Sequence, residues 1–302
     1  MGYVVAWSNV LRPGAGEALG DFVFVVAIPL LLFRTLSQAT FEGLSPVPLW
    51  IAYFVPLGLT WLVASITIRR AFGRDERGGV VAGLAGSFSN TVLIGIPLVQ
   101  NLYGETGFAA LSLILTIHLP LIMAATVILF EVANAHDRPG TERADGRTLL
   151  RNFAQGMIKN PIVIGILAGG AWRFLDLQMP ALPATIIDRI ADTAVTLALI
   201  SLGMSLRRFG ITRNVPQALV VTVLKSALMP ALATVFCLAL ALPPIAAQVV
   251  IVTAAMPTGV NPYLIASRFG TGEALASNAM VIATAIAPLT LAFWIWVAAT
   301  VT

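Results

Sequence analysis

The 302 residues are 58% hydrophobic and only 11% charged, where an ordinary soluble domain carries about 25% charged residues. With a mean hydropathy of +0.90, such a chain has too little polar surface to cover itself, so lipid is its solvent and a water-soluble globular domain is excluded. The net charge of +4 resides in short Arg clusters between apolar runs and not on one aromatic-rich face, which argues against nucleic acid and reads as a topology signal.

Apolar windows bounded by breakers and charges predict segments near 1–11, 17–37, 47–69, 79–101, 107–133, 158–176, 184–206, 215–240, 245–267 and 273–300. The first is too short to cross a bilayer, leaving nine full spans and a stub. No cleavable signal peptide is expected, because Met1 is followed by a short apolar stretch and then Arg12-Pro13. Between the fifth and sixth segments lies a long polar stretch, HDRPGTERADGRTLLRN (His136–Asn152), without hydrophobic periodicity. The domain reading is therefore a first five-helix half over 1–133, a linker over 134–157 and a second five-helix half over 158–302. Cys237, the single cysteine, lies in an apolar run and reads as a plain buried or lipid-facing thiol.

Threading these segments places Arg12, Arg69, Arg70, Arg74, Arg77, Arg138, Arg143, Arg147, Arg151, Lys159, Arg207, Arg208, Arg213 and Arg268 on one side, and Arg34, Arg173 and Arg189 on the other. The bias of positive charge makes the linker cytoplasmic and puts both termini outside, in a multi-pass cell (inner) membrane protein. An odd number of segments per half requires the halves to lie in opposite orientations. A trace of the repeat survives: LVQNLYG (Leu98–Gly104) matches LIASRFG (Leu264–Gly270), each ending a segment interrupted by Gly and Pro. Trp7, Trp50, Trp172, Trp294 and Trp296 fall near segment ends, as an aromatic belt requires.

The chemistry concentrates in two interrupted segments, GSFSNTVLIGIP (Gly86–Pro97) and AAMPTGVNPY (Ala254–Tyr263). Pro97, Pro257 and Pro262 each remove a backbone donor and free a carbonyl, which a membrane tolerates only where protein or water satisfies the backbone again. Paired breaks in corresponding segments of inverted halves point to a transporter binding site. Two half-helix N-termini, each worth about half a positive charge, suit an anion, with Asn90, Thr91, Thr258 and Asn261 as neutral hydrogen-bonding groups beside them. Packing kinks are the structural alternative.

NTVLIGIPLVQNLYG (Asn90–Gly104) resembles the fourth-helix motif of the auxin efflux carrier family, which includes the plant PIN-formed carriers and bacterial permeases for malonate and similar acids. The resemblance continues through KNPIVIG (Lys159–Gly165), QMP (Gln178–Pro180), IADTAVTLALISLGMSL (Ile190–Leu206), LKSALMP (Leu224–Pro230) and AAMPTGVNPYLIASRFG (Ala254–Gly270). It implies an all-α inverted repeat with crossed, broken fourth and ninth helices, the fold shared with bile-acid symporters. It also implies that the Asn of the NTxxxGxP motif, here Asn90, helps hold a substrate carboxylate. By the same resemblance, segments one, two, six and seven form a scaffold with a homodimer contact, and segments three to five and eight to ten form a moving bundle. Gly2-Tyr3 resembles the end of the family's first helix, so that helix is expected to be truncated. The linker is too short for the phosphorylated loop of long plant carriers.

Ionisable groups inside a membrane are functional candidates by default. Lys225 lies about ten residues into segment eight, too deep to snorkel easily at about 1.5 Å of rise per residue, and balances an anion or pairs with an acid. Asp192, inside segment seven, is its expected partner or a proton site. His118, two residues before Pro120, suits a proton relay or a hydrogen bond within the bundle. No Walker motif or HExxH occurs, and the two histidines, His118 and His136, lie in a span and a loop. The expectation is a secondary carrier of a small organic anion with no metal, no cofactor and no enzymatic activity. A sodium-coupled bile-acid-type symporter is the nearest alternative, and a channel or an intramembrane enzyme belongs to another class.

Overall fold

The computed structural model describes residues 2–8, 10–12, 14–38, 45–137, 151, 155, 158–205 and 213–302. Of the linker expected at 134–157, residues 138–150, 152–154, 156 and 157 lie outside the described residues, as do Arg207 and Arg208. The helices in chain order are α1 (Gly2–Trp7), α2 (Ala15–Gln38), α3 (Pro46–Phe72), α4 (Glu76–Ser87), α5 (Thr91–Asp137), α6 (Pro161–Phe174), α7 (Ala181–Ser205), α8 (Val215–Ala239), α9 (Pro244–Ala255), α10 (Asn261–Phe269) and α11 (Glu273–Val301). Among the described residues the secondary structure is helical apart from one isolated antiparallel bridge. By length and composition α2, α3, α5, α8 and α11 suffice to cross a membrane. The predicted fourth and ninth segments are each broken in two, at 88–90 and 256–260.

Prolines explain much of the local geometry. Three stretches of π-helix, Val23–Ala27, Thr91–Gly95 and Leu224–Leu228, each end two residues before a proline: Pro29, Pro97 and Pro230. A proline ring clashes with the carbonyl four residues earlier and offers it no N–H, and widening the preceding turn relieves both problems. For Pro230 that carbonyl belongs to Ser226, and Trp294 Nε1 donates to it at 2.7 Å. Trp294 is only 9% exposed. The aromatic-belt expectation therefore fails for this residue, because its indole N–H is needed inside the protein.

The chain packs as two compact units, Met1–Glu42 with Val92–Thr116 and Arg151–Arg208, and Gly43–Thr91 with Ile117–Leu150 and Phe209–Thr302. In the first, α2 and α6 approach to backbone contact. A Cβ on Gly169 would come within 2.6 Å of the Phe33 carbonyl oxygen, and Gly165, one turn earlier, meets Pro29 in the same way. Small residues four apart let membrane helices come this close. The Phe33 and Trp172 rings meet edge to face at 5.7 Å on the same contact. The α5 helix turns at Gly104, whose φ of 57° and ψ of −152° favour a residue without a Cβ.

The second unit is built on α3, α4, α8 and α11, around a core of Ile68, Ala82, Ala85, Ala218, Val221, Leu275 and Ala279. Its α4 helix begins under two acids. Asp75 Oδ1 accepts from the Gly78 N–H at 2.9 Å, and the Asp137 carboxylate accepts from the N–H groups of Glu76 at 3.1 Å and Arg77 at 2.9 Å. These satisfy donors that the first turn leaves open, and their charge suits the positive end of the helix dipole. The far end of α10 has the converse arrangement, with the Arg77 guanidinium donating to the Phe269 carbonyl.

Candidate functional site: the crossing of two broken helices

The α4 helix stops at Ser87, and Phe88 is extended at φ −75°, ψ 110°. The α9 helix stops at Ala255, and Met256 is extended at φ −59°, ψ 144°, as a residue before proline prefers. The two breaks satisfy each other's backbone. The Asn90 N–H donates to the Pro257 carbonyl at 2.9 Å, and the Gly259 N–H donates to the Phe88 carbonyl at 3.3 Å. Between these bonds Ser89 and Thr258 face one another in the antiparallel bridge. This is the condition under which non-helical backbone survives at membrane depth: it is buried in protein and paired. The first break lies seven residues before Pro97, which sits in regular helix behind its π-turn, so the interruption belongs to Phe88–Asn90 and not to that proline.

Side chains complete the pairing. Thr258 Oγ1 donates to the Ala85 carbonyl at 2.7 Å, closing the last turn of α4. Ala85 precedes Ser89 by four residues, and Ala254 precedes Thr258 by four. The Ser89 hydroxyl is thus placed to close α9 as Thr258 closes α4, but Lys225 intervenes. Its ammonium donates to the Ala254 carbonyl at 2.5 Å and to Ser89 Oγ at 2.9 Å, with Met229 Sδ at 3.4 Å. Lys225 is fully buried.

The residues singled out from sequence divide into groups. Asn90, Thr91, Pro257 and Thr258 are buried at the crossing, and Asn261 and Pro262 begin α10 immediately beyond it. Pro97 stands further along α5, its carbonyl accepting from Asn101 Nδ2 at 2.7 Å. Asp192 is not the partner of Lys225. Its carboxylate accepts from Arg34 Nη1 at 2.8 Å, and Asp188 lies 3.6 Å from the same nitrogen. Both carboxylates lie on the more exposed side of α7, where the guanidinium of α2 reaches them. His118 is buried among rings, 5.0 Å from Phe88, 5.6 Å from Tyr53 and 6.2 Å from Phe54 between centroids. Among the described residues neither of its ring nitrogens finds a hydrogen-bond partner, so the hydrogen-bonded bundle histidine is not what the fold provides. Cys237 is buried, with Sγ 3.8 Å from the Ala247 carbonyl oxygen.

Ser89 and Ala254 escaped the sequence reading. The available signal was the parallel between AGSFS (Ala85–Ser89) and AAMPT (Ala254–Thr258), each with an alanine four residues ahead of a hydroxyl side chain.

Comparison with known proteins gives the family. The chain is 25% identical over 287 residues to a putative malonate transporter of Rhizobium meliloti (strain 1021), covering 91% of this chain and 85% of that protein. It is 24% identical over 332 aligned positions to auxin efflux carrier component 8 of Arabidopsis thaliana, covering 95% and 90% respectively. Over 216 residues it is 26% identical to the lysosomal cholesterol signaling protein of Mus musculus, covering 68% of this chain and 24% of that much longer one. Residues 1–295 match the family described as "Membrane transport protein". The chain therefore belongs to the membrane transport protein family, that of the auxin efflux carriers, and is an all-α integral membrane transporter and not an enzyme.

Proposed function

We propose that this transporter is a secondary carrier of a small organic anion, malonate-like or auxin-like, and that it holds the substrate carboxylate at the crossing. The observation that carries the reading is the reciprocal pair of backbone bonds, Asn90 to Pro257 and Gly259 to Phe88. They hold two helix interruptions together in a buried place, and helical runs begin again at Thr91 and Asn261. Each such start carries about half a positive charge, which favours an anion without burying a mobile cation. Asn90 supplies a neutral side-chain amide at this point, with Thr91 and Asn261 beside it. Thr258 has its proton committed to Ala85 and shapes the site. Lys225 balances charge, while Asp192 is engaged by Arg34 and His118 sits within its aromatic enclosure.

The two halves form an inverted repeat in this reading. Its support is the four-residue parallel around Ser89 and Thr258 and the positive φ of both Gly104 and Gly270, which end the matching sequence strings. Alternating access then moves the bundle of segments three to five and eight to ten against a scaffold of segments one, two, six and seven. The scaffold also supplies a homodimer contact. The protein lies in the cell membrane with the central linker cytoplasmic and both termini outside, as the Arg distribution favours. The test is uptake of radiolabelled malonate and indole-3-acetate into proteoliposomes under imposed proton and sodium gradients. Saturable uptake with counterflow is expected for at least one acid, and flux linear in concentration without counterflow contradicts a carrier.

A further inference from the structure

We infer that the Lys225 ammonium is a built-in cation of the crossing, standing where a dissolved monovalent cation would otherwise be required, so that the carrier works without a metal-ion cosubstrate. The inference deepens the function proposed above and rests on the crossing being the transport site.

The ammonium has three N–H groups, and three acceptors meet it: the Ala254 carbonyl at 2.5 Å, Ser89 Oγ at 2.9 Å and Met229 Sδ at 3.4 Å. Two of these are neutral oxygens, one a carbonyl freed by a helix break and the other a hydroxyl beside the opposite break. Freed carbonyls and half-helix C-termini are what coordinate a transported cation in carriers built on broken helices. Among the described residues no carboxylate lies within ion-pairing distance of Lys225; the ion pairs there join Arg34 to Asp188 and Asp192, and Arg69 to Glu76.

A buried charge needs compensation, and the crossing provides it without an acid. The α4 and α9 helices end at Ser87 and Ala255, and Lys225 bonds to Ala254 in the last turn of one and to Ser89 two residues past the other. Each helix C-terminus is equivalent to about −0.5 charge, so the two together match one ammonium. The asymmetry of the crossing points the same way. Thr258 closes α4 unaided, whereas the equivalent link from Ser89 to Ala254 runs through Lys225. The π-turn of α8, forced by Pro230, holds Lys225 in its wider helical stretch. A charge tethered in this way cannot be carried across with the substrate.

The experiment measures the melting midpoint of the purified full-length protein, and malonate and indole-3-acetate uptake in proteoliposomes, with sodium, potassium or N-methylglucamine as the only added cation. Wild type is expected to show the same midpoint and the same uptake in all three. Lys225→Ala is expected to lose at least tenfold in uptake and to melt earlier, and to recover part of both, saturably, on addition of ethylammonium or sodium. Lys225→Arg, which keeps the charge, is expected to remain independent of the added cation. A sodium requirement in wild type or in Lys225→Arg overturns the inference, as does a Lys225→Ala protein that folds and responds to neither cation. Should Lys225→Ala fail to fold, the wild-type and Lys225→Arg measurements decide. Absence of wild-type uptake of both acids counts against the proposed function alone, because the melting midpoints still report on Lys225.

Discussion

Ser89 and Thr258 stand opposite one another in an antiparallel bridge, 169 residues apart in sequence, and each lies four residues beyond an alanine whose carbonyl a helix break has freed. The substrate site proposed at the crossing depends on that pairing. It fastens two interruptions to each other and turns what would be two defects in lipid into one satisfied structure.

Thr258→Val keeps the shape of the side chain but removes the donor to Ala85. Leaving that buried carbonyl without a partner is expected to cost about 1–3 kcal/mol. Thr258→Ser, which keeps the hydroxyl, is expected to lose much less. Denaturation of the two purified variants, side by side, checks the difference.

The α2–α6 contact gives an internal control. Gly169→Ala drives a methyl group against the Phe33 backbone and is expected to destabilise by about 1–3 kcal/mol. At Gly170 a Cβ would meet nothing within 4 Å, so Gly170→Ala is expected to be neutral or to gain about 0.5–1 kcal/mol from reduced chain freedom. Equal melting midpoints for the two variants would contradict the packing described.

The Asp137 carboxylate accepts two N–H groups at the start of α4. Asp137→Ala is expected to cost about 0.5–2 kcal/mol, as loss of a helix cap does. Hydrogen exchange should accelerate at the amides of Glu76 and Arg77 before it changes elsewhere in α4.

How much of this was legible beforehand varies with the kind of feature. Segment ends were readable because hydropathy changes sharply there; the segment expected at 47–69 is helical over Pro46–Phe72, and that expected at 215–240 over Val215–Ala239. The two breaks were readable as regions, since Ser, Asn, Gly and Pro crowd into them. Their partners were not, because one-dimensional periodicity says nothing about which carbonyl lies across from which N–H. Lys225 and Asp192 show the same limit: depth along a helix can be counted from sequence, but the direction a side chain takes around it cannot. Asp192 meets Arg34, and Lys225 meets Ser89 and Ala254. Trp294 was misassigned for a related reason, as a position near a segment end does not reveal that its N–H is needed by Ser226.

Trp294→Phe retains an aromatic ring but strands the Ser226 carbonyl beside the π-turn. A loss of about 1–3 kcal/mol is expected, read from the melting midpoint.

The most direct measurement is saturable uptake and counterflow of the transported acid by Asn90→Ala in proteoliposomes, with a folded protein verified by its melting midpoint. A hydrogen bond to a charged group contributes about 1.5–3 kcal/mol, so apparent affinity is expected to fall by roughly ten- to a hundredfold. Transport by Asn90→Ala with wild-type affinity and rate would contradict the placement of the substrate at the crossing.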